Sequence, residues 1–230
     1  MSNTRARVAE LVDALASGAS VLRDVEVQVL SRVPSKEDLP RSFLFATLPG
    51  MPHIHTGAGQ HDTTVSAFII RMVDEQPKIL LHMHKKFNKL LQPGGHVELH
   101  ENPWQAIAHE LLEETGYRLD QLDVLQPVGM LTELPGETIH PIPCIVNTHE
   151  IDNGGVPHHH TDSAYAFVTT SEPLRVPASG ESTDLRWLSL ADIDALPRSS
   201  LYDDTRILCR HIVTVTLRDW QPLPVTAFHA

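Results

Sequence analysis

The stretch GGHVELHENPWQAIAHELLEETGY, residues 94–117, decides how the rest of the chain is read. Asn102 is a favoured helix N-cap, Pro103 suits the first helical position and Gly116 suits the position just past the end, so the sequence predicts a helix over 103–115. At about 100° per residue, Trp104, Ile107, Ala108, Leu111 and Leu112 share one apolar sector that faces a core. Glu110, Glu113 and Glu114 occupy the adjacent sector at i, i+3 and i+4, where like charges destabilise a helix by roughly a few tenths of a kcal/mol per pair. Two readings answer that repulsion. One is a solvated acidic face. The other is a hard divalent cation, Mg²⁺ or Mn²⁺, which prefers carboxylate and water oxygens. The Gly94-Gly95 turn directly before the helix and the buried sector beside the glutamates weigh toward the cation.

Outward from this helix, residues 63–73 and 78–84 are rich in β-branched and aliphatic residues and flank the turn DEQP, which reads as a hairpin. Further strands are expected at 142–151, 161–170 and 184–188, a small helix at 189–196 and a long one at about 201–220. Strands on both sides of a central helix, with another helix at the end, argue for an α/β fold with a mixed sheet between helices. Toward the N-terminus, Val8, Leu11, Val12 and Leu15 predict a helix over 4–18, residues 19–33 suit helix or strand, and 34–61 has no lasting period. Residues 1–61 are therefore expected to form a helical N-terminal extension and 62–230 the main domain.

At 230 residues the chain can bury a sizeable core without staples. Its 18 Lys and Arg against 29 Asp and Glu give a net charge of −11, which repels a nucleic-acid polymer but admits a small phosphorylated substrate accompanied by a cation. Cys144 and Cys209 have no C-x-x-C spacing, so neither a disulfide framework nor a cysteine zinc site is indicated and a reducing, cytoplasmic setting is expected. Glu10 and Asp13 interrupt what would be the apolar part of a signal peptide, and no apolar run has the length of a membrane span. A homodimer is left open. Histidine is over-represented, at 15.

Residues 95–117 resemble the Nudix box, G-x5-E-x7-R-E-U-x-E-E-x-G-U with U aliphatic or aromatic. Gly95, Glu101, Glu110, Leu111, Glu113, Glu114, Gly116 and Tyr117 stand in register, and His109 replaces the arginine. The resemblance implies a Nudix-type α/β/α sandwich and a metal-dependent hydrolase that cleaves a diphosphate linkage in a nucleoside diphosphate joined to a further group. It implies that Glu110 and Glu114 are the principal metal ligands, with Glu113 a further ligand or water-activating carboxylate, so that Glu110 and Glu113 carry catalysis. The carbonyl of Gly94 would complete the metal shell. Glu101 would hydrogen-bond near the substrate or simply favour the positive helix end. His109 can replace the arginine's hold on the glutamates only weakly, or only when protonated.

Other clusters carry two readings each. His82, His84, Lys85, Lys86 and Lys89 form the densest cationic patch; Lys85 and Lys86 meet the substrate's phosphates, or line a solvated hairpin. His158, His160 and Asp162 share a strand face if that strand begins early, and then bind a second metal or the leaving group; otherwise they belong to a polar loop. His53, His55 and His61 are a flap over the site or solvent-facing side chains. Glu181 stands where some relatives place a second general base. An isoprenoid diphosphate isomerase shares this fold, and His96 matches a metal-binding histidine in it, but it needs a cysteine where this chain has Gly94. A non-catalytic ligand sensor carries a DNA-binding module, and no basic recognition helix is present. Substrate choice rests on loops outside the box.

Overall fold

The long aliphatic run at the start of the main domain forms β1 (His61–Val73), which turns through Asp74 and Glu75 into β2 (Gln76–His84). Both turn residues have positive φ, 50° and 61°, the twist that suits a two-residue hairpin. This computed structural model describes residues 57–151 and 156–228. The helix expected at 4–18, the segments at 19–33 and 34–56, and His53 and His55 lie outside the described residues. β1 begins two residues before the expected start, so His61 is a strand residue rather than part of an irregular connection.

The remaining strands are β3 (Lys89–Leu91), β4 (Gly94–His96), β5 (Asp123–Gln126), β6 (Ile145–Ile151), β7 (His158–Val168), β8 (Leu185–Leu188) and β9 (Gln221–Pro224). β1 and β7 run parallel over ten paired residues, His61↔His159 to Ile70↔Val168, and form the centre of the sheet. Each changes its outer partner midway. β1 pairs with β4 near its start and with β2 near its end. β7 pairs with β6 and then with β5. β3 and β8 extend the sheet on β2, and β9 on β5. The sheet is mixed, as expected, although the strands beyond β1, β2 and β7 are short.

Alternation along the two central strands builds two cores. Val65, Ala67 and Ile69 of β1, with Tyr165 and Phe167 of β7, pack on α1 (Pro103–Glu114) through Trp104, Ile107 and Leu111. Phe68 and Ile70, with Ala164 and Ala166, pack on the other side against Ile193 of α2 (Leu190–Ala195) and against Cys209 and Ile212 of the C-terminal helix. That helix begins as α3 (Asp203–His211), widens to a π turn at Ile212–Thr216 and closes as α4 (Leu217–Asp219), within the expected 201–220. Helix, sheet, helix is the α/β/α sandwich the sequence predicts.

The ends of α1 are fixed as its sequence requires. The Asn102 side chain accepts hydrogen bonds from the backbone N–H groups of Trp104 and Gln105, and the Gln105 side-chain oxygen accepts one from the Asn102 backbone N–H. At Gly116, φ is +77° and a Cβ would collide with the Arg175 carbonyl, so only glycine ends the helix this way. The buried face is rotated from the expected one: Ala106 is fully buried where Ala108 was expected, and Glu114 is buried too. β6 starts at Ile145 rather than 142 because Gln126 binds the backbone of Ile142 as donor to its carbonyl and acceptor from its N–H.

Candidate metal and diphosphate site

Toward their N-terminal ends, β1 and β7 turn from apolar to polar. On the face opposite α1, Thr64 and Ser66 replace aliphatic residues, and both hydroxyls donate to Oδ1 of Asp162, at 2.9 and 3.1 Å. Burial raises the Asp162 carboxyl above its ordinary range, and these two donors oppose the rise. The polar face opens into a cleft of about 400 Å³ bordered by β4, by His109 and Glu110 of α1, by His149 of β6, by Lys86 and Phe87 after β2, and by Asp204 and Thr205 of α3.

β4 brings α1 to this cleft. Val97 donates to the Thr63 carbonyl at 2.9 Å and Ala67 to the Pro93 carbonyl at 2.8 Å, so by the alternation of an antiparallel ladder Gly94 turns its N–H and C=O away from β1. That N–H donates to Oε2 of Glu114 at 2.8 Å. A Cβ at Gly94, where φ is +153°, would strike the Val65 carbonyl, and one at Gly95 would strike the Glu110 carboxylate. The two glycines therefore let the backbone lie against both glutamates.

Glu114 is 7% exposed and its carboxyl is pushed up to about 8, first by burial and then by Glu110, Glu181 and Glu113, against the Gly94 hydrogen bond. Glu110 is pushed up to about 7, again first by burial; His109 lowers it while Glu113, Glu181 and Glu101 raise it. Among the described residues no lysine or arginine reaches either carboxylate within ion-pair distance; the basic groups beside them are His82, 3.8 Å from Glu114, and His109, 3.9 Å from Glu110. His82 is buried and lowered to about 4 by burial and by His84. At neutral pH the His82–Glu114 contact is thus a meeting of neutral groups rather than an ion pair. Two carboxyls one helical turn apart, raised by burial and by neighbouring carboxylates, fit a hard divalent cation, which would replace their protons.

His109 bridges the acidic residues. Its Nδ1 is 3.1 Å from Oε1 of Glu101, and its Nε2 is 3.9 Å from Glu110 and 4.0 Å from Glu113. Glu101 is brought to the site by this contact, and Glu113, about half exposed, stands at its outer edge. Glu181, in the segment between β7 and β8, lies close enough to raise both buried glutamates.

The cationic patch divides. Lys86 borders the cleft, and His84 stacks on Phe87 with centroids 4.6 Å apart. Lys85 instead donates to the Gly180 carbonyl, and Lys89 to the Ser199 carbonyl while lying over the Tyr202 ring. β7 does begin early, so His158, His160 and Asp162 share one face, joined by His96 of β4 and by Asp62 of β1. His61 lies on the other face, 3.1 Å from the Thr161 hydroxyl, and contributes nothing to the cleft. Asp62, Thr64, Ser66 and His149 were missed from the sequence. The available signal was the polar residues at 62, 64 and 66 ahead of the apolar Phe68 and Ile70 at the same spacing.

Comparison with known proteins adds to this geometry. The model of the NUDIX domain matches residues 62–208. Among solved structures, the chain is similar to a NUDIX-family hydrolase from Clostridium perfringens, with 30% identity, covering 64% of this chain and 93% of that one, at a TM-score of 0.53. It is similar also to a MutT NUDIX hydrolase from Burkholderia pseudomallei, at 27% identity, 66% and 98% coverage and a TM-score of 0.44. An Ap4A hydrolase from C. elegans resembles it at 20% identity, 66% and 95% coverage and a TM-score of 0.47. No curated protein matches the sequence.

Proposed function

The chain belongs to the NUDIX family and is a Nudix-type pyrophosphohydrolase; from that premise we propose that it uses Mg²⁺ or Mn²⁺ held by Glu110 and Glu114 to cleave the diphosphate linkage of a nucleoside diphosphate joined to a further group. The observation that carries this reading is the pair of carboxyls, Glu110 and Glu114, raised by burial and packed on the Gly94-Gly95 turn, with Glu110 lining an open cleft. When bound there, a divalent cation supplies neutralisation of the diphosphate oxygens and acidifies water near them.

The protein's own groups do the rest. Glu110 and Glu114 hold the cation, the outward-turned carbonyl of Gly94 adds an oxygen, and Glu113 lies at the solvent edge where a carboxylate can accept a proton from the attacking water. Glu181 is a second such carboxylate. Lys86, at the cleft's mouth, offers a cation to a phosphate, whereas Lys85 is engaged elsewhere. His109 holds Glu101, Glu110 and Glu113 in place as a positioning residue. We assign the protein to the cytoplasm on its two free cysteines. Among the described residues no helix is long and apolar enough to cross a membrane.

The test is a panel of nucleoside diphosphate derivatives incubated with the full chain and Mg²⁺ or Mn²⁺, read as release of monophosphate. Cation-dependent release from at least one compound, abolished by Glu114→Gln, is expected. Release that persists in chelator, or no release from any compound, contradicts the reading.

A further inference from the structure

A second cluster, which reaches the cleft through His96 and His160, differs in chemistry from the glutamates. Asp62, His158 and His160 each present a donor atom, and these atoms all lie within 4.8 Å of one another. His96 joins them, with its Nε2 3.3 Å from Nε2 of His160 and 3.9 Å from Oδ2 of Asp62. Nε2 of His158 is 4.0 Å from the same carboxylate oxygen. We propose that Asp62, His96, His158 and His160 form a binding site for a borderline divalent transition metal of the Zn²⁺ class, separate from the carboxylate site on α1.

The geometry points to a metal in three ways. Donors on a tetrahedral ion with bonds of roughly 2.0–2.1 Å stand about 3.3 Å apart, so a cluster whose donor atoms lie within 4.8 Å of one another needs to contract by at most about 1.5 Å. The cluster rests on strands rather than loops: Asp62 and His160 are direct partners across the β1–β7 ladder, and His96 is two residues from Gly94 on β4. Nδ1 of His158 is 3.1 Å from the Val156 carbonyl, which only accepts, so Nδ1 carries a proton and Nε2 is the ring atom that faces Asp62 and is left to bind a metal. A histidine fixed in this tautomer by a backbone carbonyl is the usual supporting arrangement around a metal-binding imidazole.

Donor chemistry separates the two sites. Mg²⁺ demands oxygen and retains its waters, whereas imidazole nitrogens suit Zn²⁺, Co²⁺ and their neighbours. Gly94, beside Glu114, and His96 lie about 6.6 Å apart along β4, the span of two strand residues. The two sites would therefore be neighbours, a hard cation on α1 and a borderline one on the strands. The proposal does not depend on hydrolysis.

The experiment is calorimetric titration of the chelator-stripped full chain with Zn²⁺ in excess Mg²⁺. One equivalent of Zn²⁺ is expected to bind, to survive Glu110→Gln unchanged, and to weaken more than about a hundredfold in His158→Ala and in His160→Gln, beyond the loss of an outer supporting group. Co²⁺ bound to the wild-type chain should show the intense visible absorption of a tetrahedral, nitrogen-ligated ion, a readout that needs no variant to fold. Absence of Zn²⁺ binding in Mg²⁺, equal binding by both histidine variants, loss of binding in Glu110→Gln, or a weak octahedral Co²⁺ spectrum would each overturn the proposal.

Discussion

Glu114 and Glu110 are the side chains on which the site turns. They sit at i and i+4 of one helix, one of them 7% exposed, and both are raised toward the neutral form, first by burial and then by neighbouring carboxylates. Glu110→Gln and Glu114→Gln should each lower turnover by at least about a hundredfold, since several kcal/mol of charge stabilisation leave with the ligand and each 1.36 kcal/mol is tenfold. Circular dichroism should show the fold retained, because an uncharged amide of the same shape replaces a carboxyl whose charged form burial already disfavours. His109 is the second residue to test. It touches three carboxylates, and an imidazole, unlike arginine's guanidinium, is not permanently charged. His109→Arg should raise turnover on the alkaline side and change little near about pH 6. Superimposable pH–rate profiles would show that His109 does not stand in for the arginine. The glutamate triplet was legible because its spacing is local. Asp62, Thr64, Ser66 and His149 were not, because their shared face depends on which strands pair.

Helix α1 shows how an element converts sequence into placement. Its start and end could be read directly from Asn102, Pro103 and Gly116, and the structure keeps both. Asn102→Ala removes the acceptor for two backbone N–H groups and should cost about 1 kcal/mol, within the roughly 0.5–2 kcal/mol seen for lost caps. Chemical denaturation checks this, as a lower midpoint with an unchanged slope. An unchanged midpoint would mean that packing of Trp104 on Phe167 alone fixes the helix start. Other elements left little trace in the sequence. β3, β4, β5 and β9 are three or four residues long, too short for a period to show. β9 contains Pro222 and Pro224 and is tolerated because it pairs with β5 alone, at the sheet edge.

At the scale of the molecule, the order of strands and helices sufficed to anticipate a sandwich, whereas the parallel pairing of β1 with β7 across nearly a hundred residues is a tertiary outcome with no local signature. The same sandwich sets a pH-dependent stability. Glu110 and Glu114 titrate at about 7 and about 8 in the folded chain against 4.5 ordinarily, so their contribution is fully present below 4.5 and is lost as pH rises through 7 and 8. His82 acts oppositely, being lowered to about 4 from 6.5, but only below 6.5. The window from 6.5 to 8 therefore isolates the glutamates. The melting temperature of the metal-free protein should fall across it, and saturating Mg²⁺ at the upper end should restore at least about 3 °C, the shift that roughly 1 kcal/mol produces in a chain of this size. A melting temperature indifferent to Mg²⁺ would count against a preformed site. The most direct test of the central claim is the Mg²⁺ dissociation constant of the full chain measured by calorimetry as a function of pH. If Glu110 and Glu114 hold the cation, binding must expel their protons: affinity should tighten as pH rises through about 7 and about 8 and level off above, with proton release that shrinks in Glu114→Gln. Mg²⁺ binding that is independent of pH and releases no protons would contradict the account.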